Sequence, residues 1–510
     1  MVLVPCWLYA LAMLMNKVLS IVSLLCCLQG CVGGLTFDSL PSTVKDVQYA
    51  VRGEIVQLAQ DLKQLLQQPD HGLPFDEITP CNIGNPQALG QPPISFHRQV
   101  LSLLTNPELQ KKDLYASDVQ ERAQVFTNAT SFGAYSHSKG VPLLRQYVAD
   151  FISRRDGTHL PSADPESIYL TDGASPGVKL SLEMLVSRKD DGVLIPVPQY
   201  PLYSAAITNN GGSAVGYYLD EASGWSVSIE QIKQAMARFH HEQPAGSLKG
   251  IAVINPGNPT GNVMTRAQME EVVQLCADHR LVLLADEVYQ ENIWAESKPW
   301  ESFRKVVLEM QAPVQVISFH SISKGYYGEC GLRGGYMQLH NIDQRVQDQF
   351  YKMASITLCS NTLGQAMTAS IMNPPRLGDA SFARFEEEKT TILKSLRRKS
   401  LLMSKRLNTL PGMSCQPSDG AMYAFPRVDL PRGALAAAAK VGKQPDEFYC
   451  ISLLNATGII VVPGSGFHQR PGTWHFRITI LPSEAKLPGV LDRFEAFHRR
   501  FMSKYSASEL

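Results

Sequence analysis

Short apolar runs closed by polar residues recur through the middle of the chain. Leu281-Val-Leu-Leu-Ala285 ends in Asp286, Gly250-Ile-Ala-Val-Ile254 ends in Asn255, and Gly192-Val-Leu-Ile-Pro-Val197 leads to Tyr200. Continuous branched runs without polar alternation predict strands buried on both faces, as in a parallel sheet covered by helices. Between them the period changes. Val178-Lys-Leu-Ser-Leu-Glu-Met-Leu-Val186 has the spacing of an amphipathic helix, and Val44 to Gln68 also reads as helical, leading into an N-terminal arm. Strand and helix patterns alternate from about residue 125 to 345, which predicts a large α/β domain. The charged stretch Phe382 to Arg406 predicts a long connecting helix, followed by a smaller α+β C-terminal domain. There, Trp474-His-Phe-Arg-Ile-Thr-Ile-Leu481 alternates like a half-buried strand, and Ala434 to Gly442 reads as an exposed surface segment.

The polar residues that close these runs carry the candidate chemistry. Ser321-Ile-Ser-Lys324-Gly, followed by Gly-Leu-Arg333-Gly-Gly, puts a lysine beside hydroxyl donors and a fixed cation. Those are the parts that hold an aldehyde cofactor as a Schiff base and grip its phosphate. A lysine amine becomes nucleophilic where burial or a neighbouring cation favours its neutral form. Taken alone, the pentapeptide reads as a solvated loop. Asp286 stands at the carboxyl end of its strand, where ligands sit in open α/β sheets. A carboxylate there could pair with a pyridinium nitrogen, and Tyr289 follows on a short turn; the plain alternative for Asp286 is a helix N-cap. Pro256-Gly-Asn258-Pro-Thr-Gly261 imposes a rigid turn that would hold the Asn258 amide still.

Three further pieces complete the set. Gly173-Ala174-Ser175 lies between a strand and a helix, where free backbone N–H groups and the helix dipole suit a phosphate. Ordinary capping by Ser175 is compatible with that. Tyr200 could stack on a planar ring or serve as core. Arg477, with no acid near it in sequence, would seek a carboxylate that its planar fork can bind bidentately; a surface position is the bland alternative.

Taken in order, Tyr135, Gly173-Ala-Ser175, Tyr200, Asn258-Pro-Thr-Gly261, Asp286 with Tyr289, Ser321-Ile-Ser-Lys324, Arg333 and Arg477 resemble the class I aminotransferases, fold-type I pyridoxal phosphate enzymes related to aspartate aminotransferase. Within that family, Asn82-Ile-Gly-Asn-Pro-Gln-Ala-Leu-Gly-Gln91, Tyr135-Ser-His-Ser-Lys-Gly140, Gly328-Glu-Cys-Gly-Leu-Arg333-Gly-Gly-Tyr336 and Leu358-Cys-Ser-Asn-Thr-Leu-Gly-Gln365 are most similar to the alanine aminotransferase branch. The resemblance covers roughly residues 45 to 505. It implies an α/β fold with a mostly parallel seven-stranded sheet flanked by helices, plus a smaller α+β C-terminal domain. The expected division is an apolar leader over 1–44, an N-terminal arm over 45–110, a large cofactor-binding domain over 111–375 and a small domain over 376–510.

The resemblance also implies roles. Lys324 would bind pyridoxal 5'-phosphate covalently and serve as the catalytic base. Asp286 would keep the ring nitrogen protonated, Asn258 and Tyr289 would bond the phenolic oxygen, and Tyr200 would stack on the ring. Ala174, Ser175, Ser321 and Arg333 would hold the phosphate, joined by Tyr135 from a neighbouring subunit, so a homodimer with shared sites follows. Arg477 would clamp the substrate α-carboxylate with Gly84 close by, and no metal is involved. No position matches the second arginine that reads the distal carboxylate in the aspartate enzyme. The implied reaction is reversible amino transfer between L-alanine and 2-oxoglutarate, giving pyruvate and L-glutamate. Glutamate–glyoxylate aminotransferases share the motifs, and more distantly so do lyases on this scaffold. A non-catalytic binding or regulatory protein is the alternative of another class, and the intact Lys324, Asp286 and Arg477 set argues against it.

Composition narrows the partners. Hydrophobic content of 44% with 18% charged residues is that of a soluble globular enzyme, and the 510 residues allow two to three domains. Equal counts of 47 basic and 47 acidic residues argue against a nucleic-acid or anionic-membrane surface, and small amino and keto acids are the partners the resemblance implies. The ten cysteines show no metal spacing, and those in the body suit free thiols in a reducing compartment. Residues 1–37 carry a single charge, Lys17, and are neither arginine-rich nor amphipathic, unlike a mitochondrial presequence. Read from Met15 they resemble a signal peptide. A signal anchor, an organelle leader and a mis-called start codon stay open, with membrane contact only if the segment is kept. The body suits cytoplasm or mitochondrion, and Ser508-Glu-Leu510 lacks the basic residue of a peroxisomal tail.

Overall fold

The structure, a computed structural model, describes residues 35–49 and 53–506. Most of the apolar leader expected over 1–44 thus lies outside the described residues. Among the described residues up to Val47 there is one short helix, Ser42–Asp46, with no buried residue. The helix expected from Val44 to Gln68 is therefore not continuous. Gly53 is extended, and a separate helix runs over Glu54–Leu65.

From Gln48 onward, the centre is a seven-stranded sheet. Its strands are β1 (Ile168–Thr171), β2 (Asp191–Val197), β3 (Ser213–Tyr218), β4 (Ser247–Ile254), β5 (Val282–Asp286), β6 (Val316–Ser321) and β7 (Gly335–His340), in the spatial order β1-β7-β6-β5-β4-β2-β3. All neighbours pair in parallel except β7, which is antiparallel to both β1 and β6. The expected sheet is present. Alternate side chains of each strand leave for opposite faces. Leu194, Ile251, Val253, Leu283, Ala285 and Val316 pack into one buried cluster, while Val193, Ile195, Ala252, Ile254, Leu284, Ile317 and Phe319 pack into another. Each fully buried aliphatic side chain there contributes roughly 1.5–3 kcal/mol, so both faces need their helical cover. On the second face lie α1 (Ala174–Leu185) and α2 (Leu202–Asn209), which contribute Val178, Leu182 and Tyr203 to the cluster.

The antiparallel β7 has a positional consequence. It begins at the edge where its neighbours finish, with Gly335 opposite both Thr171 and Ser321. Arg333 therefore stands at the carboxyl end of the parallel strands, although it precedes a strand.

Beyond the sheet, α3 (Phe382–Leu407) is the expected long helix, one residue longer than its pattern. A three-stranded antiparallel sheet follows, ordered β8-β10-β9, from β8 (Tyr423–Ala424), β9 (Val462–Pro463) and β10 (Phe476–Thr479). Two sequence readings are corrected here. β10 is buried throughout rather than half-exposed, because its polar residues face the interior of the site and not solvent. Residues 434–442 are not a free surface segment: Arg432–Lys440 is a helix whose Ala434 and Ala438 are buried.

Candidate active site

The carboxyl ends of β1, β2, β4, β5 and β6 bring the sequence-predicted residues together. Asp286 ends β5 on the same face as Leu284, toward α2. Its Oδ2 accepts from the Tyr203 hydroxyl at 3.0 Å, and Oδ1 accepts from the Val288 N–H at 3.4 Å. Burial at 5% exposure disfavours the charged carboxylate and pushes its pKa up from 3.8 to about 6, with these bonds and the nearby Lys324 charge opposing. A turn, not a helix, follows it, so the N-cap reading does not hold.

The turn after β4 sets Asn258 beside Tyr289. The Asn258 Nδ2 donates to the Tyr289 hydroxyl at 3.5 Å, and its Oδ1 accepts from Arg477 Nη1 at 3.0 Å. Lys324 follows β6, and its Nζ donates to the Gly84 carbonyl at 2.9 Å. Gly84 is held there because Thr79–Pro80 pairs with Ile459–Ile460 and the Thr479 N–H donates to the Cys81 carbonyl at 2.9 Å. Cys330 lies on the same wall, its thiol 3.1 Å from the Ser323 carbonyl.

At the start of α1, Gly173 occupies the N-cap with φ 80°, and no side chain caps the helix. Ala174 and Ser175 are its first residues, so Ser175 is not the cap and the leading N–H groups are left for another acceptor. The Arg333 guanidinium crosses this helix end. Its Nη2 donates to the Asp172 carbonyl at 2.7 Å, and Nη1 to the Cys330 carbonyl at 3.1 Å and Ser323 Oγ at 3.5 Å. Ser321 Oγ completes the group by donating to Ser323 Oγ at 3.0 Å. Two oxygen-rich side chains, a cation and a helix N-terminus thus converge, the donor set for an anion.

Arg477 is 2% exposed, yet its polar partners are neutral: the Asn258 amide and the Asn82 carbonyl, the latter at 2.5 Å. Its Nε has no partner, and the rings of Tyr423 and Phe467 lie 4.2 and 4.8 Å from its central carbon. A buried cation without an acid is expensive, and a carboxylate ligand is the group that would offset it.

Tyr200 stands near this centre and exchanges a hydroxyl contact with Tyr49 at 2.9 Å. Tyr135 is the outlier: it is 82% exposed and makes none of the contacts that join the other residues. Four residues of the site escape the sequence reading. Tyr203 sits in the same Pro-Gln-Tyr-Pro-Leu-Tyr segment as Tyr200 and was readable as a second hydroxyl aimed at the strand end. Tyr423 and Tyr49 carry no local signal, because their partners lie far away in the sequence, and Asn82, which opens the Asn82–Gln91 motif, gives no sign there that its carbonyl meets Arg477.

A family model described as aminotransferase class I and II matches residues 102–494. The chain belongs to that family. Among similar proteins, the mitochondrial alanine aminotransferase 1 of Arabidopsis thaliana is 49% identical, covering 92% of this aminotransferase and 88% of that protein. Glutamate–glyoxylate aminotransferase 1 of the same plant is 45% identical over 92% of this chain and 97% of its own. The solved structure of an alanine aminotransferase from Pyrococcus furiosus superposes with a TM-score of 0.71, covering 90% of this chain and all of that one, at 24% identity. That last likeness shows the fold. Enzymes of the family depend on pyridoxal phosphate, and this chain is a fold-type I aminotransferase.

Proposed function

We propose that this aminotransferase moves an amino group reversibly between L-alanine and 2-oxoglutarate, using pyridoxal 5'-phosphate. The single observation that carries the reading is the meeting of Lys324, Asp286 and Arg477 at one set of strand ends, an amine, a buried acid and an unpaired buried cation. The donor set fits the cofactor. The uncapped start of α1, Ser321 and Arg333 suit its phosphate, Asp286 suits a protonated ring nitrogen, Asn258 and Tyr289 suit its phenolic oxygen, and Tyr200 suits the ring face.

When bound, the cofactor supplies an electron sink for negative charge developing at the substrate Cα. The chain supplies the rest. Lys324 Nζ would hold the cofactor, and its amine would take the proton from the substrate Cα as general base and pass it on as general acid. Asp286 holds the proton on the ring nitrogen, and its elevated pKa in the bare site falls once a cation faces it. Arg477 binds the α-carboxylate bidentately and fixes the face presented to Lys324. Tyr135, exposed on its own chain, completes the phosphate site of a second copy, so the working unit is a homodimer.

Replacing Lys324 by alanine tests the reading. Purified wild-type protein with cofactor is expected to form pyruvate from alanine and 2-oxoglutarate, and Lys324→Ala is expected to lose turnover by several orders of magnitude while its apoprotein still folds. Near-normal transamination by Lys324→Ala refutes the assignment. The 45% identity to a glutamate–glyoxylate enzyme supports a second reading, in which glyoxylate is the preferred acceptor. Comparing kcat/KM for glyoxylate and pyruvate as acceptors from glutamate decides between them.

A further inference from the structure

Tyr423 belongs to none of the motifs read from the sequence, yet its side chain joins the two halves of the site. The sheet register puts it there. Tyr423 pairs with Thr479, and Arg477, two residues along β10, shares that face. The Tyr423 ring therefore packs against the Arg477 guanidinium, 4.2 Å from centroid to central carbon. At the far end of the ring, the hydroxyl meets the Tyr289 hydroxyl at 3.4 Å, and the two rings stand edge to face. Space for that hydroxyl exists only because residue 84 is glycine. A Cβ at Gly84 would lie 2.1 Å from the Tyr423 oxygen and 3.1 Å from Lys324 Nζ.

We propose that Tyr423 is a positioning residue with two separable parts: its ring holds the Arg477 fork ready for a carboxylate, and its hydroxyl, admitted by Gly84, holds Tyr289 and borders the Lys324 amine. The inference rests on the roles proposed above for Arg477 and Lys324. The ring part follows from charge. Arg477 has no anionic partner and an unpaired Nε, so the ring faces join its bonds to the Asn258 amide and the Asn82 carbonyl in keeping its guanidinium in one attitude when no ligand is bound. The hydroxyl part follows from crowding. The Gly84 carbonyl takes the lysine amine, the Tyr423 oxygen fills the space beside it, and a flexible four-carbon stem is thereby left few rotamers. The electrostatics agree: burial alone would push the phenol up, but the charges of Lys324 and Arg477 outweigh it and hold Tyr423 below the ordinary tyrosine value.

Two substitutions separate the parts. Tyr423→Phe keeps the ring and removes the hydroxyl, and Tyr423→Leu removes both. The readouts are kcat and KM for alanine on the holoenzyme, and calorimetric binding of propionate, a bare carboxylate, to the apoprotein. Tyr423→Phe is expected to lower kcat about tenfold or more while leaving KM and propionate affinity within about twofold. Tyr423→Leu is expected to weaken propionate binding about tenfold in addition and to raise KM in step. An unchanged kcat in Tyr423→Phe overturns the hydroxyl part, and wild-type propionate affinity in Tyr423→Leu overturns the ring part. A uniform loss of all three quantities in every variant overturns the separation itself. Should wild-type enzyme prove unable to transaminate, the proposed function fails on that control, whereas the propionate arm still reads the Tyr423–Arg477 contact.

Discussion

The carboxyl of Asp286 is raised to about 6 in the bare site because burial outweighs the hydrogen bonds from Tyr203 and the Val288 N–H. In the unfolded chain it titrates at its ordinary 3.8, so the folded apoprotein binds this proton more tightly. Stability from that proton is complete below pH about 4 and is lost as pH rises through about 6, a change of about 3 kcal/mol at most. Asp286→Asn keeps the shape and stays neutral. Its apoprotein is therefore expected to melt higher than wild-type apoprotein at pH 8 and to match it near pH 4, although the holoenzyme loses activity. Glu287, pushed up to about 7 by burial with Arg155 opposing, is raised further by the Asp286 charge, so its own penalty shrinks in the variant and adds to the gain at pH 8. Parallel melting curves of the two apoproteins against pH would contradict the account. At this scale the sequence was readable where a residue's position in a strand or turn decides its use, as for Lys324, Asp286, Asn258 and Arg333. It was mute where a long-range contact decides, as for Tyr423 against Arg477 or Asn82 beneath it.

At the scale of elements, the decisive feature is how α1 begins. Gly173 adopts φ 80°, and a Cβ there would stand 2.5 Å from Arg333 Nη2. Alanine at 173 thus strains the backbone and moves the guanidinium off the helix end. Gly173→Ala is expected to weaken pyridoxal phosphate binding about tenfold or more and to leave pyridoxal, which lacks the phosphate, nearly unaffected. Equal losses for the two ligands in fluorescence titration would argue against a phosphate site here. The strand ends, the helix after Gly173 and the long α3 were all legible from period and punctuation. Two elements were not. The alternation in β10 looked like a wet face, because a polar residue lining a buried site has the same spacing as one in solvent. The alanine-rich Arg432–Lys440 looked exposed, because small side chains carry little hydropathy signal even when buried.

For the whole molecule, the proposed homodimer would cover exposed apolar surface. Tyr135 is 82% exposed, and Ile356 and Leu358 are 70% and 52% exposed, a cost that association would offset. If each site takes its lysine from one chain and Tyr135 from the other, two crippled variants should rescue each other. Lys324→Ala mixed with Tyr135→Ala and refolded together is expected to regain up to about a quarter of wild-type turnover, since half of the randomly formed dimers are mixed and each keeps one intact site. Activity no higher than that of the better parent would show that Tyr135 serves its own chain. A last consequence comes from the pleat of β5. Asp286 and Glu287 are adjacent acids that leave the backbone in opposite directions, one toward Lys324 and the other onto the Phe303 N–H at 2.8 Å. Deleting one apolar residue inside that strand would turn each carboxyl to the other face while leaving the charge unchanged. Natural length variation among such proteins should therefore gather in the outer loops and spare the short span from Val282 to Glu287, where counting residues matters more than choosing them.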